Sequence, residues 1–154
     1  MKRKGGFMQI NGRNYTLLKL KLMDLNSITP LKIVKMWDED LSIECVAKEP
    51  VDIEGMRFQA TFTFESDCAY FPPDVAVLEK MYLFPEPDGR SSFDSLSEWK
   101  DGIIERYGCT MKSEETVSSE YRAEFTCPKE ADRWTIKINI NLLSEDCKIV
   151  IVAA

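Results

Sequence analysis

Ser95-Leu-Ser-Glu-Trp-Lys-Asp-Gly-Ile-Ile-Glu-Arg-Tyr107, closed by Gly108, decides the fold class of this chain. Leu96, Trp99, Ile103 and Tyr107 recur at three- and four-residue steps, giving a helix one apolar face, while Glu98, Asp101 and Glu105 lie opposite. Ser95 and Glu98 have capping-box spacing, and Gly108 suits the left-handed residue that ends a helix. Gly102 costs such a helix about 1 kcal/mol against alanine, which points to a close approach to a sheet. The period then changes. Tyr121, Ala123 and Phe125, next Trp134, Ile136, Ile138 and Ile140, and last Ile149 and Ile151 fall at every second residue, as in strands with one buried face. A helix at 95–107 packed on an antiparallel sheet follows, an α+β architecture.

Toward the N-terminus the strand period returns. Asn11-Gly12 predicts a two-residue hairpin, because both residues accept the positive φ angles of a type I′ turn. Its second arm runs on, with Leu18, Leu20 and Leu22 on one face and Lys19 and Lys21 on the other, to a turn at 26–30. Further strands are predicted at 31–37, at Leu41, Ile43, Cys45 and Ala47 (ended by Pro50), and at Met56, Phe58, Ala60, Phe62 and Phe64. Residues 6–64 thus read as a β-meander, 66–93 as a loop-rich insertion holding four of the seven prolines, and 94–154 as the helix plus a second meander. Within the insertion, 74–83 fits a helix or a strand equally well. The expected whole is a single domain over 1–154, mainly antiparallel sheet, with seven to eight strands in meander connections. Cys147 to Ala154 carries one charge and no alternation, a hazard at a sheet edge. It lies inside the sheet with both faces covered, or it pairs with a second copy in a homodimer.

Composition removes several chemistries. The chain has no histidine, which excludes Ser-His-Asp and Cys-His nucleophiles and imidazole-ligated metals. Five cysteines without a CxxC spacing make a poor disulfide framework and read as free, half-buried thiols. Cys127 and Cys147 fall at opposite ends of a meander, about 25 Å apart at ~3.3 Å per residue, too far to bond. No apolar run approaches the about 20 residues needed to span a membrane. The basic start, Met1 to Lys4, is followed by residues too polar for a leader, so a cytoplasmic protein is expected. Net charge is −6, with +7 over residues 1–35 and −13 over residues 36–154. That balance argues against nucleic acid as a partner, since duplex binding needs a positive footprint. Lys19, Lys21, Lys32 and Lys35 would form one only if they shared a face.

Two segments stand out as candidate binding residues. Asp38, Glu39, Asp40 and Glu44 form the densest acidic cluster, with Glu49, Asp52 and Glu54 nearby. The cluster lacks EF-hand spacing, so no metal is assigned to it. Tyr70, Phe71, Tyr82 and Phe84 sit in the proline-rich insertion, and aromatic residues are enriched at interfaces. Glu86 and Asp88 are available as a carboxylate pair, but any acidic chain offers such pairs, and no catalytic residue or cofactor is assigned. The expected function is a non-enzymatic, acidic, protein-binding module for a basic-surfaced protein partner, of inhibitor or immunity type. The alternative is a small-ligand binder with an apolar pocket closed by the 66–93 loops.

Overall fold

Eleven strands and two helices follow from these periods among the described residues of the computed structural model, which are 7–16, 20–37, 41–66, 72–127 and 134–153. In chain order they are β1 (Phe7–Ile10), β2 (Arg13–Thr16), α1 (Leu22–Ile28), β3 (Leu31–Trp37), β4 (Ser42–Ala47), β5 (Val51–Ile53), β6 (Met56–Glu65), β7 (Val77–Pro85), α2 (Ser92–Tyr107), β8 (Thr110–Val117), β9 (Glu120–Cys127), β10 (Trp134–Asn141) and β11 (Cys147–Ala153). All pairings are antiparallel, in one sheet ordered β2-β1-β5-β6-β7-β11-β10-β9-β8; β4 also pairs with β6, and β3 with β4.

The expected count of seven to eight strands is therefore too low. From β8 to β11 the strands neighbour one another in sequence order, but the N-terminal strands do not form a simple meander. Pro50 breaks one strand into β4 and β5. Both pair with the ten-residue β6, so the sheet forks there, with β3 outside β4 and the β1–β2 hairpin outside β5. The predicted Asn11-Gly12 turn is present, with φ of 50° and 84°.

Three expectations about local structure change. The long second hairpin arm ends early: Leu20 and Leu22 are buried as expected, but from Leu22 the chain is helical. Leu22 and Leu25 are buried one helical turn apart, and Asp24 accepts the Lys21 N–H at 3.3 Å. Leu18 and Lys19 lie outside the described residues. Residues 66–93, expected to be loop-rich with a helix or a strand at 74–83, hold strand β7 near the middle of the sheet. Its burial skips from Leu78 to Met81 and Leu83, because Glu79 is an extra residue in a bulge opposite Thr63 and Phe64. That skip is why the period of 74–83 did not separate a strand from a helix. Third, α2 begins at Ser92, three residues earlier than predicted. Ser91 caps it by accepting the Asp94 N–H at 3.1 Å, while Ser95 lies inside the first turns. Gly108 ends it at φ 67°.

β11 settles between β10 and β7, with Ile149 and Ile151 buried and Val150 half-buried. Both edges of Ile149–Val152 are thus already paired within the chain, which leaves these residues no free edge for a second copy. Leu96, Trp99, Ile103 and Tyr107 of α2 pack into one buried apolar cluster with Phe58, Phe62, Phe125, Trp134 and Ile136. Tyr107 meets Trp134 edge-on at 5.5 Å, and Trp99 meets Phe58 at 5.4 Å, so one helix braces both halves of the sheet. Among the described residues no helix is long and apolar enough to cross a membrane.

The cysteine expectation also changes. Cys109 and Cys127 are disulfide-bonded, with Cα atoms 4.1 Å apart, whereas Cys45 and Cys147 are free. A bulge at Lys112 shifts the β8–β9 register by one residue, so that Cys109 faces Cys127; without it Thr110 would do so.

Candidate functional site

The segment from Pro85 to Arg90, joining β7 to α2, is the point from which two open grooves diverge. They measure about 740 and 570 Å³ and share Met56, Glu86, Pro87, Asp88 and Arg90. Gly89 supplies a positive φ of 82°. Glu86 donates its N–H to Arg57 O at 3.1 Å and accepts from Gln59 Nε2 at 3.2 Å. Asp88 accepts from the Ser95 hydroxyl at 2.7 Å and the Arg90 N–H at 3.0 Å, and these bonds hold its carboxyl below the usual range. Arg90 pairs with Glu98.

The larger groove is bounded on its far side by the start of β9 and the β10–β11 turn. Among the described residues, Glu86, Asp88, Glu120, Glu145 and Asp146 line it, against Arg90 and Lys148 as cations, and Phe84, 44% exposed, also lines it. The turn is tied to α2: Glu145 Oε1 accepts the Ser92 N–H at 3.2 Å, and Ser92 Oγ donates to Glu145 O at 2.9 Å. Cys147 also lines this groove, but burial, more than any other influence, raises its thiol. Cys45 is pushed up to about 11, first by burial and then by Glu44. Both free thiols among the described residues are therefore protonated and poor nucleophiles at neutral pH.

The smaller groove is built around a carboxylate that sequence reasoning had placed in a surface patch. Glu54, at φ 52° in the Glu54-Gly55 turn between β5 and β6, has a fully buried side chain. It accepts from Gln9 N–H at 2.6 Å, Arg106 Nη2 at 3.0 Å and Tyr107 Oη at 2.5 Å. Trp99 Nε1 donates to Ile53 O at 2.9 Å beside it. Gly102 lines this groove rather than approaching the sheet: an added Cβ would meet only the Arg106 guanidinium, at 3.6 Å. Gly102→Ala is accordingly expected to stabilise the protein by about 1 kcal/mol, read as a raised urea midpoint at unchanged slope.

On the other side of α2, buried Lys100 donates to Glu114 Oε2 at 2.7 Å and to Tyr121 Oη at 2.8 Å, and Tyr121 donates to the same carboxylate at 2.5 Å. Burial opposes the lysine's charge, but the bonds to Glu114 and Tyr121 outweigh it and push Nζ up to about 12. Lys100, and secondarily Tyr121, lowers the Glu114 carboxyl; burial raises the Tyr121 phenol. Each group moves away from neutrality, the reverse of what a proton-transferring site requires, so this is a brace. The lowered Glu114 contributes stability that is complete above its ordinary 4.5 and fades as pH falls below it. The raised Lys100 contribution is complete below its ordinary 10.5 and fades as pH rises toward about 12, and the raised Tyr121 phenol acts in the same direction. Glu114→Leu is expected to cost about 2 kcal/mol by removing the nearest anion from buried Lys100, which keeps Tyr121 Oη at 2.8 Å and Asp101 Oδ1 at 3.7 Å. Lys100→Met should cost less than about 1 kcal/mol, because the half-exposed Glu114 reaches water and still accepts from Tyr121. Chemical denaturation of both variants at pH 7 tests this order.

The predicted binding residues separate. Phe84 reaches the larger groove. Tyr82 is half-buried on the solvent-side face of the sheet, with Lys148 Nζ 5.0 Å from its ring centre. Glu44 lies two strands away on the same face, level with Lys35, Thr63 and Lys80. Asp38, Glu39, Asp40, Tyr70 and Phe71 lie outside the described residues. Glu120, Glu145 and Asp146 went unrecognised, because only the sheet order brings the β9 and β11 ends beside the β7–α2 loop. Lys32 and Lys35 share the solvent-side face with Glu44 and Val46, while Lys21 stands at the start of α1. Among the described residues, no group of three or more Cys, Asp or Glu side chains is placed to hold a metal ion. Compared with known proteins, the chain matches no family model, no curated protein and no solved structure.

Proposed function

We propose that this chain is a non-enzymatic, acidic protein-binding module that engages a basic-surfaced partner at the larger groove, in an inhibitor- or immunity-type role. The observation that carries the reading is the groove's lining among the described residues, five carboxylates against two cations together with the exposed Phe84. Such a surface speeds encounter with a positive protein and offers it an aromatic contact. The outward-shifted ionisations of Lys100, Glu114 and Tyr121 and the protonated thiols support a role without catalysis. The small-ligand alternative draws on the groove's volume and its mixed polar and apolar wall, although the groove is open to solvent.

The test is capture of partners from nuclease-treated native lysate by the tagged wild-type chain and by a Glu120→Gln/Asp146→Asn variant. A stoichiometric basic protein, weakened by salt and lost with the variant, is expected. Equal retention by the variant would refute the groove assignment.

Location belongs to the same proposal. The cytoplasm is the expected location, whereas the Cys109–Cys127 bond favours an oxidising compartment. Alkylation at the moment of lysis decides between them: blocked Cys109 and Cys127 mean the cytoplasm, and their protection means the oxidised chain.

A further inference from the structure

The turn between β10 and β11 is rigid yet apolar at its tip. Each backbone N–H from Leu142 to Asp146 is bonded. Leu142 donates to Ser119 O at 2.7 Å, and Leu143 and Ser144 to Asn141 Oδ1 at 3.0 Å. Glu145 donates to Asn141 O at 2.8 Å, and Asp146 to Ser144 Oγ at 3.3 Å. Polar bonds thus hold the turn backbone, while its leucines present apolar surface to solvent: Leu143 is 84% exposed and Leu142 40%.

The neighbouring elements add more apolar surface at the same end of the molecule. Val117, 50% exposed, ends β8 beside the Ser118-Ser119 turn that Leu142 contacts. Phe93, 39% exposed, opens α2 next to Ser92, which Glu145 holds, and its ring is fixed edge-on against Tyr121 at 5.1 Å. Single exposed apolar residues are ordinary. Four of them, displayed on hydrogen-bonded turns and a ring-locked helix start, offer contact area whose ordering is already complete before binding.

We infer that Leu142 and Leu143, with Phe93 and Val117, are the apolar anchor of a docking surface whose charged part is the adjoining acidic groove. The occupant is a cationic amphipathic segment of a partner protein. The inference rests on the protein-binding reading above and specifies the partner's chemistry. Charge complementarity selects this occupant: Glu120, Glu145 and Asp146 adjoin the leucines, so anionic lipid, nucleic acid and acidic peptides are repelled, while lysine- or arginine-bearing segments are attracted. The apolar tip then discriminates among basic segments, favouring those with apolar residues to bury.

The test titrates the full-length, isotopically labelled chain at low salt with two synthetic peptides of equal length and charge. One carries leucine and lysine at helical spacing, and the other is a lysine–glycine control. Backbone amide shifts give the site, and their saturation gives the affinity. The leucine–lysine peptide is expected to bind about tenfold more tightly, equal to about 1.4 kcal/mol. It should move the amides of residues 92–93, 117–120 and 141–146. Leu143→Ser should remove that tenfold advantage and leave control binding unchanged; at 84% exposure the side chain is no support of the fold, and an unchanged melting curve verifies this. Equal binding of the two peptides, or a Leu143→Ser variant that binds like wild type, overturns the apolar anchor while the acidic reading stands. If neither peptide binds, both fail. Shifts of the same amides by zwitterionic lipid vesicles without peptide would overturn the inference in favour of a lipid-surface anchor.

Discussion

Glu54→Ala is expected to lower the stability of the protein by about 3–5 kcal/mol, the cost of breaking a buried charged network from one side. The side chain has no solvent exposure and serves three donors. One of them, the Gln9 N–H, belongs to the β1 ladder. Opposite it, Glu54 N donates to Gln9 O, but the positive φ of the Glu54-Gly55 turn ends regular pairing, and the carboxylate replaces the missing backbone acceptor. The other two come from consecutive residues at the end of α2. Alanine would leave Gln9 N–H and Tyr107 Oη without this acceptor in a dry interior and leave Arg106 unpaired at its edge. Glu54→Gly separates the carboxylate from the turn: glycine relieves the left-handed backbone, so a lock role predicts a loss still above about 2 kcal/mol. Equilibrium urea unfolding followed by circular dichroism measures both variants. A Glu54→Gly protein as stable as wild type would mean that Glu54 matters only through its turn.

The second large effect is expected at Trp99. Trp99→Ala should cost about 3–5 kcal/mol, through lost apolar contact and the cavity left between α2 and β6. Trp99→Phe should cost about 1–2 kcal/mol, because it keeps most of the packing against Phe58 and loses the Nε1–H bond to Ile53 O. At this chain length about 1 kcal/mol moves the melting temperature by roughly 2–4 °C, so alanine and phenylalanine are readily resolved by thermal melts. Ile53 and Glu54 are adjacent, and both are held by α2. The double variant Glu54→Ala/Trp99→Ala should therefore cost less than the two single losses combined, since either one already frees the three-residue β5 from the helix.

These two residues were not equally legible. Trp99 declared itself through the stripe it shares with Leu96, Ile103 and Tyr107, because helical period and apolar character are local properties. Glu54 looked like one more surface acid near Glu49 and Asp52. Its burial depends on the β1 hairpin lying beside β5 and on α2 crossing over both, and neither is encoded within a few residues of position 54. The groove behaved likewise. Phe84 was singled out from its neighbourhood, whereas Glu120, Glu145 and Asp146 join it only through the β7-β11-β10-β9 strand order.

By itself the amino-acid sequence determined the α2 stripe and its Gly108 stop, the two-residue periods of β4, β6, β9 and β10, the Asn11-Gly12 hairpin and the break at Pro50. All of these arise from interactions within one turn or one strand. Tertiary structure alone decided the rest. Single extra residues at Glu79 and Lys112 reset the strand phase, making 77–85 a strand and Cys109 the partner of Cys127. Two neighbouring strands made the apolar C-terminus an inner strand rather than an edge. The same acidic residue type became a buried lock at Glu54 and a groove wall at Asp146, since a carboxylate's role is set by the donors and solvent that distant segments bring to it.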